Sequence, residues 1–219
     1  MPVYDFHTHT FLSDGVLSPI ELIRRAHVRG YRAIAITDHA AEGGLEWVLH
    51  TLVKDCALAN SRWDILALPG VELTHVPPED IDRLAQEARR MGARVVVVHG
   101  ETIVEPVEPG TNRAGIMSGA DILSHPGLIS RQDAALAAKR GVYLEITARK
   151  GHSLCNGHVA DMAAETGAKL VLNTDSHEPG DLINDEFALQ VLAGVGLDKK
   201  AILRVLQNSR EIVNKTLGG

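Results

Sequence analysis

Val3-Tyr4-Asp5-Phe6-His7-Thr8-His9 decides how this chain folds. Its apolar and aromatic residues read as a short strand, and the strand runs into two histidines. A doubly wound dinucleotide-binding sheet would carry a Gly-x-Gly-x-x-Gly turn at this point, and none is present. Six further β-branched or apolar runs follow: Ala33–Thr37, Ile65–Leu68 continuing to Glu72, Arg94–Val98, Asp121–Ser124, Val142–Thr147 and Lys169–Asn173. Most are continuously apolar, as strands buried on both faces are. Amphipathic segments lie between them. Ser18-Pro19 with Glu21 resembles a helix N-cap, a first-turn proline and a capping box, and that helix runs to about Arg29. Pro78–Met91, Arg131–Arg140 and His158–Thr166 also read as helices. Gly30, Gly92, Gly141 and Gly167 stand where left-handed C-caps belong. After the seventh run come Asp181–Ala193, Asp198–Gln207 and a short helix ending near Leu217. Strand and helix in alternation imply parallel strands with right-handed crossovers. The expected fold is an α/β barrel of seven parallel strands with extra C-terminal helices, a single domain over 1–219.

The strand ends carry the chemistry. In order they deliver His7 and His9, then Asp38-His39, Glu72, His99, His125, Glu145 with Thr147 and Arg149, and finally Asp175 and His177. Parallel barrels build their active sites on this C-terminal face. His7 and His9 are two apart on a strand and share a side; Asp175 and His177 repeat the spacing. Closure of a barrel makes its first and last strands neighbours, so the two pairs should meet. Independent capping of a core would not select imidazole and carboxylate at every strand end. Imidazoles and carboxylates gathered in this number suit borderline divalent cations such as Zn²⁺, Mn²⁺ or Fe²⁺. Of the remaining histidines, His27 and His50 are expected on helix surfaces or at the core edge, and His75 on a solvated loop. His152 and His158 flank the loop after the sixth strand, where they are candidates for substrate contact or proton transfer.

Composition narrows the function. The 219 residues carry 22 basic and 28 acidic side chains, a net charge of −6, with no basic arm. Aromatics are only 4%, too few for a stacking platform, so long nucleic acids are not expected as partners. Cys56 and Cys155 make no disulfide framework. No signal-peptide pattern and no apolar run near the roughly 18 residues of a membrane span appear. A cytoplasmic, membrane-free location is the expectation.

His7-x-His9, Ser13-Asp14-Gly15, Thr37-Asp38-His39, Gly70-Val71-Glu72, His99, Ser124-His125-Pro126 and Asp175-Ser176-His177 together resemble the PHP (polymerase and histidinol phosphatase) family. The resemblance runs from Val3 to about His177. It implies a distorted (β/α)₇ barrel, a cluster of up to three metals and, for most free-standing members, phosphoesterase activity. It places one cation on His7, His9, Glu72 and Asp175. A second would share Glu72 and add His99 and His125, and a third would take Asp14, His39 and His177. Asp14 stands where many relatives carry histidine; its harder oxygen shifts preference toward Mn²⁺ or Fe²⁺. The chain is shorter than histidinol phosphatases of that family, so histidinol phosphate is not the expected substrate. Glu72, Asp175 and His177 are the candidate catalytic residues. The expected reaction is hydrolysis of a small phosphomonoester by a hydroxide bridging two cations. Arg149, Lys150, His152 and Arg113 are candidates for gripping the phosphate. The alternatives are a phosphodiesterase or nuclease acting on small nucleotides, hydrolysis of a C–N or C–O bond, and a non-catalytic metal-binding module.

Overall fold

The computed structural model describes residues 3–218. Its strands are β1 (Val3–Asp5), β2 (Tyr31–Ile36), β3 (His39–Ala40), β4 (Leu66–Leu73), β5 (Val95–His99), β6 (Ile122–Ser124), β7 (Tyr143–Thr147) and β8 (Leu170–Asn173). All pairings are parallel, in the order β1-β2-β4-β5-β6-β7-β8, with the two-residue β3 beside β4. The sheet nearly closes. Beyond the ends of β1 and β8, Thr8 bridges Ser176, His9 N–H donates to the Ser176 carbonyl at 2.8 Å, and Asp175 N–H donates to the His7 carbonyl at 2.9 Å. The first and last strands therefore meet at the barrel's C-terminal mouth, as the sequence implied.

Alternation within the strands separates two apolar layers. Ile34, Ile36, Val96, Val98, Leu144 and Ile146 face outward to the helices. Ala33, Ala35, Leu68, Val95, Val97, Ile122, Tyr143 and Val171 fill the barrel itself, with Phe6. The inner row leads directly to the polar mouth: two residues beyond Val97 is His99, two beyond Tyr143 is Glu145, and four beyond Leu68 is Glu72. Gly70 lies between Leu68 and Glu72 because a Cβ there would sit 2.7 Å from the Val95 carbonyl and 2.8 Å from the Thr37 methyl.

The helices are α1 (Pro19–Val28), α2 (Leu45–Asn60), α3 (Ile81–Arg90), α4 (Thr111–Met117), α5 (Arg131–Arg140), α6 (Asn156–Thr166), α7 (Asp185–Gly194) and α8 (Lys199–Thr216), with 3₁₀ turns at Pro78–Asp80 and His152–Cys155. Ser18 caps α1 by accepting from Glu21 N–H at 3.3 Å, whereas the Glu21 carboxylate turns to Arg25 instead of closing a capping box. Gly30, Gly92, Gly141 and Gly167 all take positive φ at the helix ends read from sequence. Two expectations need correction. The helix expected from Asp181 begins at Asp185, capped by Asn184, because the Asp181 carboxylate accepts from the His177 and Glu178 amides instead. The two segments expected near the C-terminus form the single helix α8. Its polar Gln207-Asn208-Ser209 stretch does not break it, since Asn208 donates to the Leu170 carbonyl at 2.8 Å and Ser209 bonds back to Val205. Ile212 of α8 packs into the inner core from the end opposite the mouth. Among the described residues no helix is long and apolar enough to cross a membrane.

Candidate metal centre

The residues at the mouth converge. His7, His9 and Asp175 form one group whose potential ligand atoms all lie within 4.8 Å of one another; Glu72, His99 and His125 form a second; His9, Asp14, His39 and His177 form a third. These groups overlap the three sets that the resemblance implies; Glu72, absent from the first group, approaches His7 Nε2 at 3.0 Å. His9 also reaches the third set, its ring stacked on His39 at 4.2 Å and on His177 at 4.3 Å. The first two groups are buried and the third faces solvent through Asp14, whose side chain is 57% exposed.

What these atoms lack is informative. His7 Nε2, both ring nitrogens of His9, His99 Nδ1, His125 Nδ1 and Asp175 Oδ1 are buried and make no hydrogen bond. His9 Nε2 lies 3.1 Å from Asp175 Oδ1, yet the pair is not aligned as donor and acceptor. A buried polar atom left unpaired costs about 1–3 kcal/mol. Several together in one pocket, aimed at shared points, are what a ligand set for cations looks like, and this donor set fits divalent metals. His125 and Asp175 add backbone strain, with φ of +22° and +53°. Non-glycine residues in this region cost about 1–3 kcal/mol each and persist where surrounding structure enforces them.

A second layer fixes the first. His7 Nδ1 donates to Glu145 Oε2 at 2.8 Å, which turns Nε2 toward the pocket; Glu145 also accepts from Asn173 at 2.8 Å and from the His125 amide at 3.3 Å. Glu72 accepts from the Ser124 hydroxyl at 2.6 Å and lies 2.7 Å from His39 Nδ1. Asp38 does not point at the group. It accepts from Thr10 N–H, the Thr10 hydroxyl and the Ser13 hydroxyl, and so shapes the loop that carries Asp14.

Electrostatics follow from this packing. Burial disfavours a charged His7, but Glu72, Glu145 and Asp175 outweigh it and lift its pKa well above the ordinary value. Burial and the neighbouring His39 press His9 down to about 3. Burial would raise Glu72; His7, His99 and His39 overcome it and hold the carboxyl well below the usual range. Asp175 is likewise held low, against its burial, by His7 and His9. Glu72 and Asp175 are thus ionised and His9 is neutral, as cation binding requires, whereas His7 holds a proton against these carboxylates that a bound cation would displace.

The expected substrate residues divide. Arg149 stands after β7, its guanidinium 3.2 Å from Asp181, the carboxylate that also holds the His177 amide. Lys150 beside it is exposed. His152 stacks on His125 with ring centroids 4.1 Å apart and forms a possible ligand group with His125 and Asp175. Arg113 is not brought to the cluster: it lies on α4, 63% exposed, and pairs with Asp133 at the start of α5. His158 Nε2 donates to the Ile129 carbonyl at 2.8 Å. His75 stands on an exposed loop as expected, its side chain 47% exposed, with Nε2 3.6 Å from Glu105 and its ring 5.3 Å from that of His99. Glu105 has no counterpart in the sequence reading; no strand-end position or motif marks it.

Comparison with known proteins agrees with this geometry. A family model described as PHP domain matches residues 5–114. An uncharacterized protein of Methanocaldococcus jannaschii is 49% identical, over 93% of this chain and 94% of its own length. A protein of Shewanella sp. strain ANA-3, named a probable phosphatase, is 30% identical over 91% of this chain and 86% of its own. Among solved structures, metal-dependent tyrosine phosphatases, YwqE from Bacillus subtilis and CpsB from Streptococcus pneumoniae, share the fold at 15% identity, with a TM-score of 0.62, 97% of this chain and 94% of the other covered. By the matched model and the relatives covered nearly end to end, the chain belongs to the PHP domain family.

Proposed function

We propose that the chain hydrolyses a small phosphate monoester using two or three divalent cations. The reading is carried by one observation: buried imidazole nitrogens of His7, His9, His99 and His125 and one carboxylate oxygen of Asp175, from the ends of β1, β5, β6 and β8, gather around Glu72 without hydrogen bonds of their own. The first cation would be held by His7, His9, Glu72 and Asp175, the second by Glu72, His99 and His125, and the third by Asp14, His39 and His177. When bound, divalent cations lower the pKa of a coordinated water to about 7 and neutralise charge on phosphoryl oxygens.

The chain's own residues supply the rest. Glu72 lies between the first two sets and fixes their separation, steadied by Ser124. Glu145 keeps the hydrogen of His7 on Nδ1 and its Nε2 free. Asp175 and His177 are placed by the seam between β1 and β8. Arg149, Lys150 and His152, on the segment that follows β7, would hold the phosphate oxygens; the Arg149 guanidinium is steadied by Asp181. A named probable phosphatase among the relatives and metal-dependent phosphatases among the structural neighbours support ester hydrolysis.

The test is elemental analysis of the purified protein, then a screen of phosphorylated metabolites with Mn²⁺, Fe²⁺ and Zn²⁺. Inorganic phosphate release supports the proposal. Nucleotide release from diesters alone would replace it with a phosphodiesterase, and a metal-loaded protein inert toward every ester would overturn it.

A further inference from the structure

The connection from β5 to α4 crosses the cluster mouth as a strap. Ile103, Val104, Glu105 and Pro106 are all exposed. Beyond the buried Thr102 at its base, the exposed tip reaches the cluster through one side chain. Glu105 Oε2 lies 3.1 Å from His99 Nε2 and 3.6 Å from His75 Nε2, and Glu105 Oε1 lies 3.4 Å from His152 Nε2. Three elements thus point an imidazole at one carboxylate: the end of β5, the loop after β4 and the 3₁₀ turn after β7. None of the recorded partners of Glu105 among the described residues is lysine or arginine.

Two of the imidazoles, His152 and His99, are better fixed than the acid they surround. His152 is braced by stacking on His125 and by Thr102, whose hydroxyl lies 2.9 Å from Nδ1. With that hydroxyl donating to Nδ1, the ring carries its hydrogen on Nε2, the atom facing Glu105. His99 is 2% exposed at the end of its strand. His75 is the most exposed of the three, its side chain 47% open to solvent on the loop after β4. Glu105 stands on the exposed strap, its side chain 37% exposed. An oxygen anion on a loosely held tether, among fixed N–H donors, beside a set of cation ligands, stands where an incoming phosphoryl group would place its oxygens.

We propose that His75, His99 and His152 form a subsite for phosphoryl oxygens and that Glu105 occupies it as an internal competitor, displaced when a phosphate ester enters. This rests on the phosphoesterase reading above, and it adds an acid that weakens substrate binding. A site open only a fraction of the time binds its ligand more weakly by that fraction. Removal of Glu105 therefore tightens phosphate binding, whereas removal of a metal ligand or a phosphate-gripping residue weakens it.

Inorganic phosphate is the probe, titrated calorimetrically into the full chain loaded with Mn²⁺, with metal content measured on the same samples. Glu105→Ala should bind phosphate about tenfold more tightly than the wild type if the carboxylate fills the subsite nine-tenths of the time. Glu105→Gln, which keeps the shape and loses the charge, should fall between them. His152→Ala should bind phosphate more weakly than the wild type. Unchanged or weaker phosphate binding in Glu105→Ala, or loss of metal from it, would overturn the competitor role and leave ester hydrolysis standing. No phosphate binding by either metal-loaded protein would remove the competitor role and the phosphoesterase reading together.

Discussion

Glu145 shows what one side chain does when it touches no substrate. It accepts from His7 Nδ1 and so leaves Nε2 for a cation. Such carboxylate partners are typically worth 10–100-fold in metal affinity. Glu145→Gln should therefore lower affinity by about that factor while the barrel stays folded, measured by competition with a chelator. Asp175→Ala should strip metal and activity together; a fully loaded, active variant would contradict its assignment. Arg149→Ala should raise KM for a phosphorylated substrate with metal content intact. At this scale the sequence revealed the residues that stand at strand ends and hid those placed by loops. His7, Glu72 and Asp175 were legible because strand periodicity sets their direction. Glu105 was not, because it lies six residues past His99 on a connection whose path depends on the imidazoles it meets. Arg113, a candidate for gripping the phosphate, stands at no strand end: it lies in the first turn of α4 and its side chain turns to Asp133.

At the scale of elements, α8 carries the clearest consequence. The sequence pattern broke it in two because Gln207, Asn208 and Ser209 interrupt the apolar spacing. The helix continues because Asn208 finds a buried acceptor in the Leu170 carbonyl, a partner 38 residues away that local pattern cannot reveal. One turn on, Ile212 is 1% exposed and packs with Phe6, Val95 and Ile122 inside the barrel. Ile212→Ala should cost about 2–5 kcal/mol of unfolding free energy, as large-to-small core changes do, read from urea denaturation. A loss below about 1 kcal/mol would mean that the barrel floor relaxes around the cavity. The strands, by contrast, were legible nearly in full, since both of their faces are apolar and their ends are chemically distinct.

For the whole molecule, metal and pH act on the same balance. Without cations the mouth keeps several buried atoms unpaired, and a ligand that binds only the folded state stabilises it by mass action, by about 4 kcal/mol at a thousand times its Kd. Chelation should lower Tm and Mn²⁺ should restore it. Asp5 gives a separate pH signature. Burial pushes its carboxyl up to about 7, although the Thr174 hydroxyl and amide and the His7 amide donate to it. Between its unfolded value near 4 and about 7 the folded chain binds a proton that the unfolded chain does not, so this contribution to stability falls as pH rises through that window. Asp5→Asn removes the titration. Its stability relative to the wild type should improve steadily from pH 5 to pH 8, and a pH-independent difference would show that Asp5 does not titrate there.

The seam that joins Thr8 to Ser176 also governs when the mouth of the barrel can be completed during synthesis. His7 and His9 leave the ribosome first, but they can complete no binding set with Asp175 and His177 until almost the whole barrel has been translated. On the proposed ligand sets, cation binding would therefore wait for the last strand of the barrel. A product interrupted before residue 175 would carry most of the imidazoles and still be unable to assemble the first or the third set.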